Sequence, residues 1–216
     1  IPYGRANNRS SPATDIISAA RQLVANGCQE IVISGVDITS WGSDMAGRPR
    51  LGHLVRRLLR EVPDLPRLRL SSLDPAELDA ELMDVLAEES RLMPHLHISA
   101  QHGDDLILRR MKRRHLGRDI IRFCDEARRR RPDVAFGADI IAGFPTESDA
   151  AHQQTMTMIK DAGISYLHVF PYSPRRLTPA AKMPQLDAAV IKQRASELRE
   201  LGKFQLHQHL LIEMYR

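Results

Sequence analysis

The feature that most constrains this chain is a rhythm. Short apolar runs, β-branched or alternating with polar residues, recur along it, and a longer amphipathic stretch separates each from the next. The runs are EIVISGVD (30–37), RLRLSSLD (67–74), HLHISAQ (95–101), VAFGADIIAGFP (134–145) and YLHVFPYS (166–173). Their length, composition and terminal turn residues predict five strands. Helical periodicity fills the intervals. The first helix is expected over 11–26, with Ile16, Ile17, Ala20 and Val24 on one face and Pro12 in its first turn. Others are expected over 51–61, over 74–90 with Asp74 as the cap, and over 106–111 and 119–130 with an interruption near Gly117. A fifth spans 146–163, capped by Thr146 and stopped at Gly163, and a sixth runs from 185 to about 209. Strands alternating with helices imply a parallel sheet with helical crossovers, open or closed. In either geometry chemistry gathers at the C-terminal strand ends. That directs attention to Ser34, Gly35 and Asp37, to Ser71, Ser72 and Asp74, to Ser99, Gln101 and His102, to Asp139 and Gly143, and to Tyr172 and Ser173. The proline-bearing stretch SPRRLTPAAKMPQ (173–185) is expected to cross the mouth of the sheet.

Composition adds bounds. With 43% hydrophobic residues in 216, the chain can build the core of one domain or most of a larger barrel. Lys and Arg number 31 against 27 Asp and Glu, a net charge of +4, so the distribution of charge says more than its sum. RRMKRRH (109–115), ARRRRP (127–132) and SPRR (173–176) are dense, and each reads equally as a solvated face or as a surface for a polyanion. Two distant cysteines, Cys28 and Cys124, imply a reducing compartment without a disulfide framework. No apolar run approaches the roughly 18 residues of a membrane span, and no signal peptide is visible, so a cytoplasmic protein is expected.

Individual residues narrow the chemistry. Neither G-x-G-x-x-G nor the phosphate-loop pattern occurs. Gly35, Gly103 and Gly143 stand at strand ends, where glycine serves turn geometry or close backbone approach to a ligand. His95 and His97 share a strand face. As metal ligands they would need carboxylates or cysteines converging from other strands, so they are expected to face the core or the helices, and no metal ligand is expected. His207 and His209 are expected at the surface, and Cys28, Cys124, Met156 and Met158 as packing residues. Asp139 stands in an otherwise apolar strand, where a carboxylate needs a partner, and Gln101 closes its strand with an amide. Neither identifies a reaction.

Six stretches together point further. IPYGRANNRS (1–10), EIVISGVDITSWG (30–42), LPRLRLSSLDP (65–75), LMPHLHISAQHGDDLILRRMKRRH (92–115), FGADIIAGFPTE (136–147) and YLHVFPYSPRRLTPAAKMP (166–184) resemble, in order, the radical S-adenosylmethionine methylthiotransferases. VDITSWG and HGDDLILRRMKRRH look most like the tRNA branch acting on N6-threonylcarbamoyladenosine, with the isopentenyladenosine and ribosomal-protein branches as alternatives. The resemblance implies an α/β fold, a partial (β/α) barrel of parallel strands. It also implies a reaction in which a reduced [4Fe–4S] cluster splits S-adenosylmethionine to a hydrogen-abstracting radical and a methylated sulfur is inserted. The family's C-x-x-x-C-x-x-C loop precedes the segment matched by IPYGR. Residues 1–216 are therefore expected to be a core fragment of five strand–helix units, without the first strand, the cluster loop, the amino-terminal domain or the carboxy-terminal TRAM domain, and inactive alone. Carried over by position, Gly35, Ser71, Ser72, Gln101, Asp139, Gly143, Phe170 and Tyr172 are the expected S-adenosylmethionine contacts. Arg5, Arg9, Arg113, Arg114 and Arg175 are the expected contacts to tRNA. The chain departs from the family pattern at Ala100, where a larger aliphatic residue is expected, and at Ala6 and Thr146, where relatives often carry Gly. The competing readings are a non-catalytic nucleotide- or RNA-binding scaffold and an unrelated barrel enzyme of metal-assisted or aldol type, which would need His95 or His97 at a metal.

Overall fold

A computed structural model describes residues 9–76 and 79–215; Arg5 and Ala6 lie outside the described residues. The predicted rhythm is present. In chain order the elements are α1 (Ala13–Ala25), β1 (Glu30–Ile33), α2 (Leu51–Glu61), β2 (Arg67–Leu70), α3 (Ala80–Glu88), β3 (His95–Gln101), α4 (Asp105–Arg110), α5 (Gly117–Arg130), β4 (Ala135–Ala142), α6 (Asp149–Asp161), β5 (Tyr166–Pro171), a 3₁₀ turn (Pro179–Lys182) and α7 (Ala188–Met214). Every strand pairing is parallel, and spatial order follows chain order. β1 pairs with β2, and β3, β4 and β5 form a second ladder. Leu73 joins the two: its N–H donates to the His97 carbonyl at 2.8 Å, and its carbonyl accepts from Ser99 N–H at 2.9 Å. Strand order never reverses, as it would in a doubly wound sheet. This is the progression of a (β/α) barrel, and among the described residues the sheet does not close on itself.

Side-chain parity divides the sheet into two faces. Leu68, Leu70, Leu96, Ile98, Ala100, Phe136, Ala138, Ile140 and Ala142 are buried in one core with Leu54, Leu58, Leu86, Ile120, Phe123, Met158 and Leu198 of the helices. The alternate residues His95, His97, Ser99, Gln101, Asp139 and Ile141 are half-buried, and His168 and Phe170 are exposed. They line the hollow on the face that this helical core leaves uncovered. His97 therefore faces the hollow, not the core or the helices as the sequence suggested, because Leu96 and Ile98 take the helical side.

Several boundaries differ from expectation for local reasons. Asp79, not Asp74, caps α3: its carboxylate accepts from Leu82 N–H at 2.6 Å and from Gly52 N–H of α2 at 3.3 Å. Asp74 instead accepts from Ala76 N–H at 3.0 Å in the turn made by Pro75. Ser148, not Thr146, caps α6 through Ala151 N–H. Asp187 caps α7, which begins three residues later than predicted and runs past His209. His207 is exposed as expected, whereas the His209 ring packs edge-on against Tyr166 at 5.6 Å.

The ARRRRP cluster is structural. Arg128 donates to the Ala162 carbonyl and stands over the Phe136 ring, Arg129 pairs with Glu126, and Arg130 pairs with Glu126 and Asp84. Arg131 donates to the carbonyls of Leu86, Glu89 and Leu92 at 3.1, 3.1 and 2.9 Å. It thereby closes the C-terminal end of α3 against the start of β3, and its guanidinium is mostly buried. Replacing Arg131 by Ala is expected to lower stability by about 2 kcal/mol, since buried carbonyls lose their donor. Arg129→Ala, at the exposed face, is expected to change it by less than about 0.5 kcal/mol. Urea midpoints of the two variants check this, and equal midpoints would contradict it.

Candidate functional site

The C-terminal strand ends form a rim. β1 gives way at Ser34 to Gly35, which is exposed and carries no side chain over the hollow. Ser71 N–H donates to the Ile33 carbonyl at 2.9 Å, which leaves the half-buried Ser71 and Ser72 beside the end of β1. At the end of β3 the ladder slips between Ile98 and Gln101, and Gln101 takes a positive φ of 67°. A left-handed conformation in a residue with a Cβ is strained and concentrates at functional sites. β4 ends in Gly143, φ 73°, where only glycine sits without strain and a Cβ would stand 2.7 Å from Ile191. Past β5, Tyr172 N–H donates to the Ala142 carbonyl at 2.8 Å, and its ring meets Phe144 edge-on at 5.4 Å. Tyr172 Oη is buried without a hydrogen-bond partner among the described residues, and burial pushes the phenol upward, so it remains a protonated donor. Phe170 presents an exposed ring on the hollow face.

Beneath the rim, a buried ionic network that the sequence did not reveal sets the shape of the loop after β4. Glu147 is buried, and its Oε2 accepts from the N–H groups of Gly143 and Phe144 at 2.8 and 3.0 Å. Arg194 of α7 donates to the Glu147 carbonyl at 2.9 Å, to its Oε1 at 3.1 Å, and to Asp149 at 2.6 Å. His102, just past β3, has Nε2 3.4 Å from Glu147 Oε2, while its Nδ1 accepts from Asp104 N–H at 3.0 Å. His152 of α6 lies 3.5 Å from Glu147 Oε1 and 2.8 Å from Glu197. Burial alone would raise the Glu147 pKa. The close approach of His102 and His152, with the Arg194 charge, outweighs it and brings the carboxyl to about 2. The His152 imidazole is raised in turn, chiefly by the adjacent Glu147 carboxylate and then by its hydrogen bond to Glu197.

Asp139 lies deeper than the rim. Its Oδ1 is 3.0 Å from His97 Nε2 and 3.3 Å from His168 Nδ1. Burial would raise its carboxyl, but the hydrogen bond to His97 and the two neighbouring histidines hold it below the usual carboxylate range. The expected basic contacts divide. Arg9 and Arg175 are exposed, Arg113 is half-buried, and Arg114 stands 3.7 Å from Asp74. Asp74 also faces the buried His115, whose Nε2 is 3.0 Å from the Ala100 carbonyl, so the segment 113–115 sits against the ends of β2 and β3. Trp41 Nε1–H donates to the Ser11 carbonyl at 3.0 Å, and the ring packs on the core. An apolar cavity of about 530 Å³ lies between α1, α2 and the outer edge of β1, lined by Ile16, Leu23, Ile31, Leu54 and Leu58. Its polar end, at Arg9, Ser10, Ser34, Asp37 and Ser40, adjoins Gly35 at the end of β1.

Neither cysteine suits a cluster. Cys28 Sγ donates to the Glu30 carbonyl at 3.1 Å, and burial pushes the Cys124 thiol up to about 12 on the outer helix α5. Thiolate ligation of iron needs several converging, deprotonated sulfurs.

A parallel (β/α) progression with this strand-end rim defines a class, and comparison with known proteins agrees. The family model described as Radical SAM superfamily matches residues 2–159, and the chain belongs to that superfamily. It is 50% identical over 208 residues to the threonylcarbamoyladenosine tRNA methylthiotransferase MtaB of Rickettsia prowazekii (strain Madrid E), covering 96% of this chain and 49% of that protein. It is 36% identical over 201 residues to the tRNA-2-methylthio-N(6)-dimethylallyladenosine synthase of Cereibacter sphaeroides (strain ATCC 17025 / ATH 2.4.3), covering 93% of this chain and 45% of that one. The chain thus spans about half the length of these relatives. Among solved structures, coproporphyrinogen III oxidase (HemN) from Escherichia coli superposes with a TM-score of 0.65 over 89% of this chain and 46% of that chain, at 15% identity, which speaks to the fold.

The Glu147 network carries a pH signature. Its folded pKa of about 2 lies below the ordinary 4.5 of a glutamate, so its stabilisation is fully present above pH 4.5 and is lost as pH falls toward 2. The expected loss is about 3 kcal/mol. Urea midpoints followed from pH 6 to 2 check it: the native chain should weaken steeply, and Glu147→Gln should begin weaker and respond less.

Proposed function

We propose that this chain is the S-adenosylmethionine-binding core of a cytoplasmic tRNA methylthiotransferase that places a methylthio group at C2 of N6-threonylcarbamoyladenosine. The observation that carries the reading is the 50% identity over 96% of the chain to the Rickettsia enzyme, against 36% to the dimethylallyladenosine enzyme. When bound, S-adenosylmethionine supplies a sulfonium open to one-electron cleavage and, from it, a hydrogen-abstracting group. The residues of this chain orient it. Gly35 lets the amino-acid portion approach backbone, Ser71, Ser72 and Gln101 offer hydroxyl and amide contacts, and Gly143 holds the β4 loop clear of the ligand. Phe170 and Tyr172 give the adenine an aromatic wall, with Tyr172 Oη as a donor. Asp139, held between His97 and His168, offers its carboxylate to the nucleoside portion. The [4Fe–4S] ligands belong, in this reading, to the part of the relatives' length that this chain does not span. Arg9, Arg114 and Arg175, with the half-buried Arg113, offer phosphate contacts at the rim, where neutralising charge gives salt-dependent affinity.

The reading predicts a specific loss. Deleting the gene in its host should remove 2-methylthio-N6-threonylcarbamoyladenosine from digested tRNA and leave N6-threonylcarbamoyladenosine to accumulate, as read by nucleoside mass spectrometry. Unchanged methylthiolation in the deletion strain would contradict the target. In the full-length protein, Gln101→Ala is expected to weaken S-adenosylmethionine binding about tenfold, the worth of one hydrogen bond in a desolvated site. Equilibrium binding measures it.

A further inference from the structure

We propose that Leu177 is a wedge for RNA: it covers the base that loses its neighbour when the target nucleotide leaves the stack, while Arg175 and Arg176 hold the flanking phosphates. The inference rests on the methylthiotransferase reading above and adds a specificity-determining residue to it. Leu177 stands in the turn Arg175–Thr178, which Thr178 N–H closes on the Arg175 carbonyl at 3.1 Å. It is the third residue of that turn and takes a φ of 71°. The position calls for glycine, because a Cβ crowds the backbone in the left-handed region. The chain places leucine there instead and leaves it 91% exposed. An exposed leucine alone needs no explanation. One held in a strained conformation does, because strain persists where it serves a bound partner.

The turn is firmly mounted. Pro174 and Pro179 bracket it, and each fixes its own φ. Thr178 Oγ1 donates to the Arg175 carbonyl at 2.8 Å and accepts from Ala181 N–H at 3.4 Å, which caps the 3₁₀ turn that follows. Gln185 donates to the carbonyls of Ala180 and Met183 at 2.9 and 2.7 Å. Ala180 and Met183 pack with the buried Ile107 and Phe144, so the segment is held against α4 and the loop after β4. Leu177 thus projects from a fixed base beside the strand-end rim. The charge around it selects the occupant. Arg175, Arg176 and Lys182 are exposed, and no acidic residue lies between Ser173 and Leu186. An apolar tip in a purely basic segment fits a molecule with regular negative charge and flat, stackable faces, which is single-stranded RNA. An enzyme that works on a base draws it out of its stack, and the neighbouring base is left with an open face. Leucine is among the apolar side chains that fill such a gap.

The test uses the full-length protein and a tRNA stem-loop that carries N6-threonylcarbamoyladenosine, with 2-aminopurine at the adjoining nucleotide. This base brightens when it is unstacked, and the native protein is expected to raise its fluorescence. Leu177→Gly and Leu177→Asn both suit a left-handed turn and both remove the apolar tip. Each is expected to bind the RNA about tenfold more weakly and to lose the fluorescence rise. Each is also expected to keep the native salt dependence and a urea midpoint at or above the native one. Leu177→Met keeps the tip and is expected to bind within about twofold of the native protein. Arg176→Ala is expected to keep the fluorescence rise and to lower the salt slope by about one. If Leu177→Gly and Leu177→Asn retain either the affinity or the fluorescence rise while the native protein binds, the wedge is overturned and the methylthiotransferase reading stands. A urea midpoint well below the native one in both variants overturns it too, since the side chain then serves the folded protein itself. Failure of the native protein to bind the stem-loop overturns the wedge together with the reading.

Discussion

One buried carboxylate governs much of the geometry. Glu147 belongs to the turn after β4, yet its partners come from the end of β3, from the turn itself, from α6 and from α7. A buried charge this well surrounded is costly to break, because removing one partner strands the others without compensation. The consequence reaches the rim. Gly143 keeps its left-handed conformation because Glu147 binds its N–H, and Tyr172 is placed by a hydrogen bond one residue earlier, at Ala142. Arg194 carries the same constraint to the long helix α7, which packs on β5 and β4. The loop that borders the hollow is therefore stiff.

Positive charge follows the same logic of internal partners. The chain looks basic in blocks, but the block at the end of α5 spends its guanidinium groups on carbonyls, carboxylates and an aromatic ring of the same molecule. Arg110 at the end of α4 donates to the Thr146 hydroxyl. The exposed pair Arg175 and Arg176, in the excursion after β5, is a better candidate for a polyanion than the denser run at 128–131. Density in sequence is a poor guide to availability, because a helix C-terminus presents free carbonyls that arginine satisfies well.

Legibility in the sequence tracks how local the determining physics is. β3 and α2 appear within the predicted bounds because strict alternation and a strong apolar stripe are read from neighbours alone. The caps differ from expectation where two candidates stand close together. In the Thr-Glu-Ser run, Ser148 takes the helix, and Thr146 is drawn away by Arg110 into a left-handed conformation, φ 69°. That conformation also accounts for glycine being expected there. Asp139 stands out as a charge in an apolar strand, but its partner His168 does not, because pairing them requires the β4–β5 register. The Glu147 network was invisible for the same reason: 47 positions separate Glu147 from Arg194. The expectation that His97 faces helices failed on parity, since Leu96 and Ile98 supply the apolar contacts and force the intervening residue to the other side.

The uncovered face is the final constraint. Parallel sheets ordinarily bury both faces beneath helices and read as continuous apolar runs. Here one face is apolar and packed, while the other carries His95, His97, Ser99, Gln101, Asp139 and His168. Covering those groups with a helix would strip their water without supplying enough partners. Leaving them to bulk solvent would not account for a strained Gln101 or for a buried phenol with no acceptor. A hollow filled by a polar ligand meets both conditions, because the ligand excludes water and returns hydrogen bonds at fixed positions. The polarity of that face is thus an argument for occupancy that rests on the sheet alone, and it holds whichever molecule the strand ends receive.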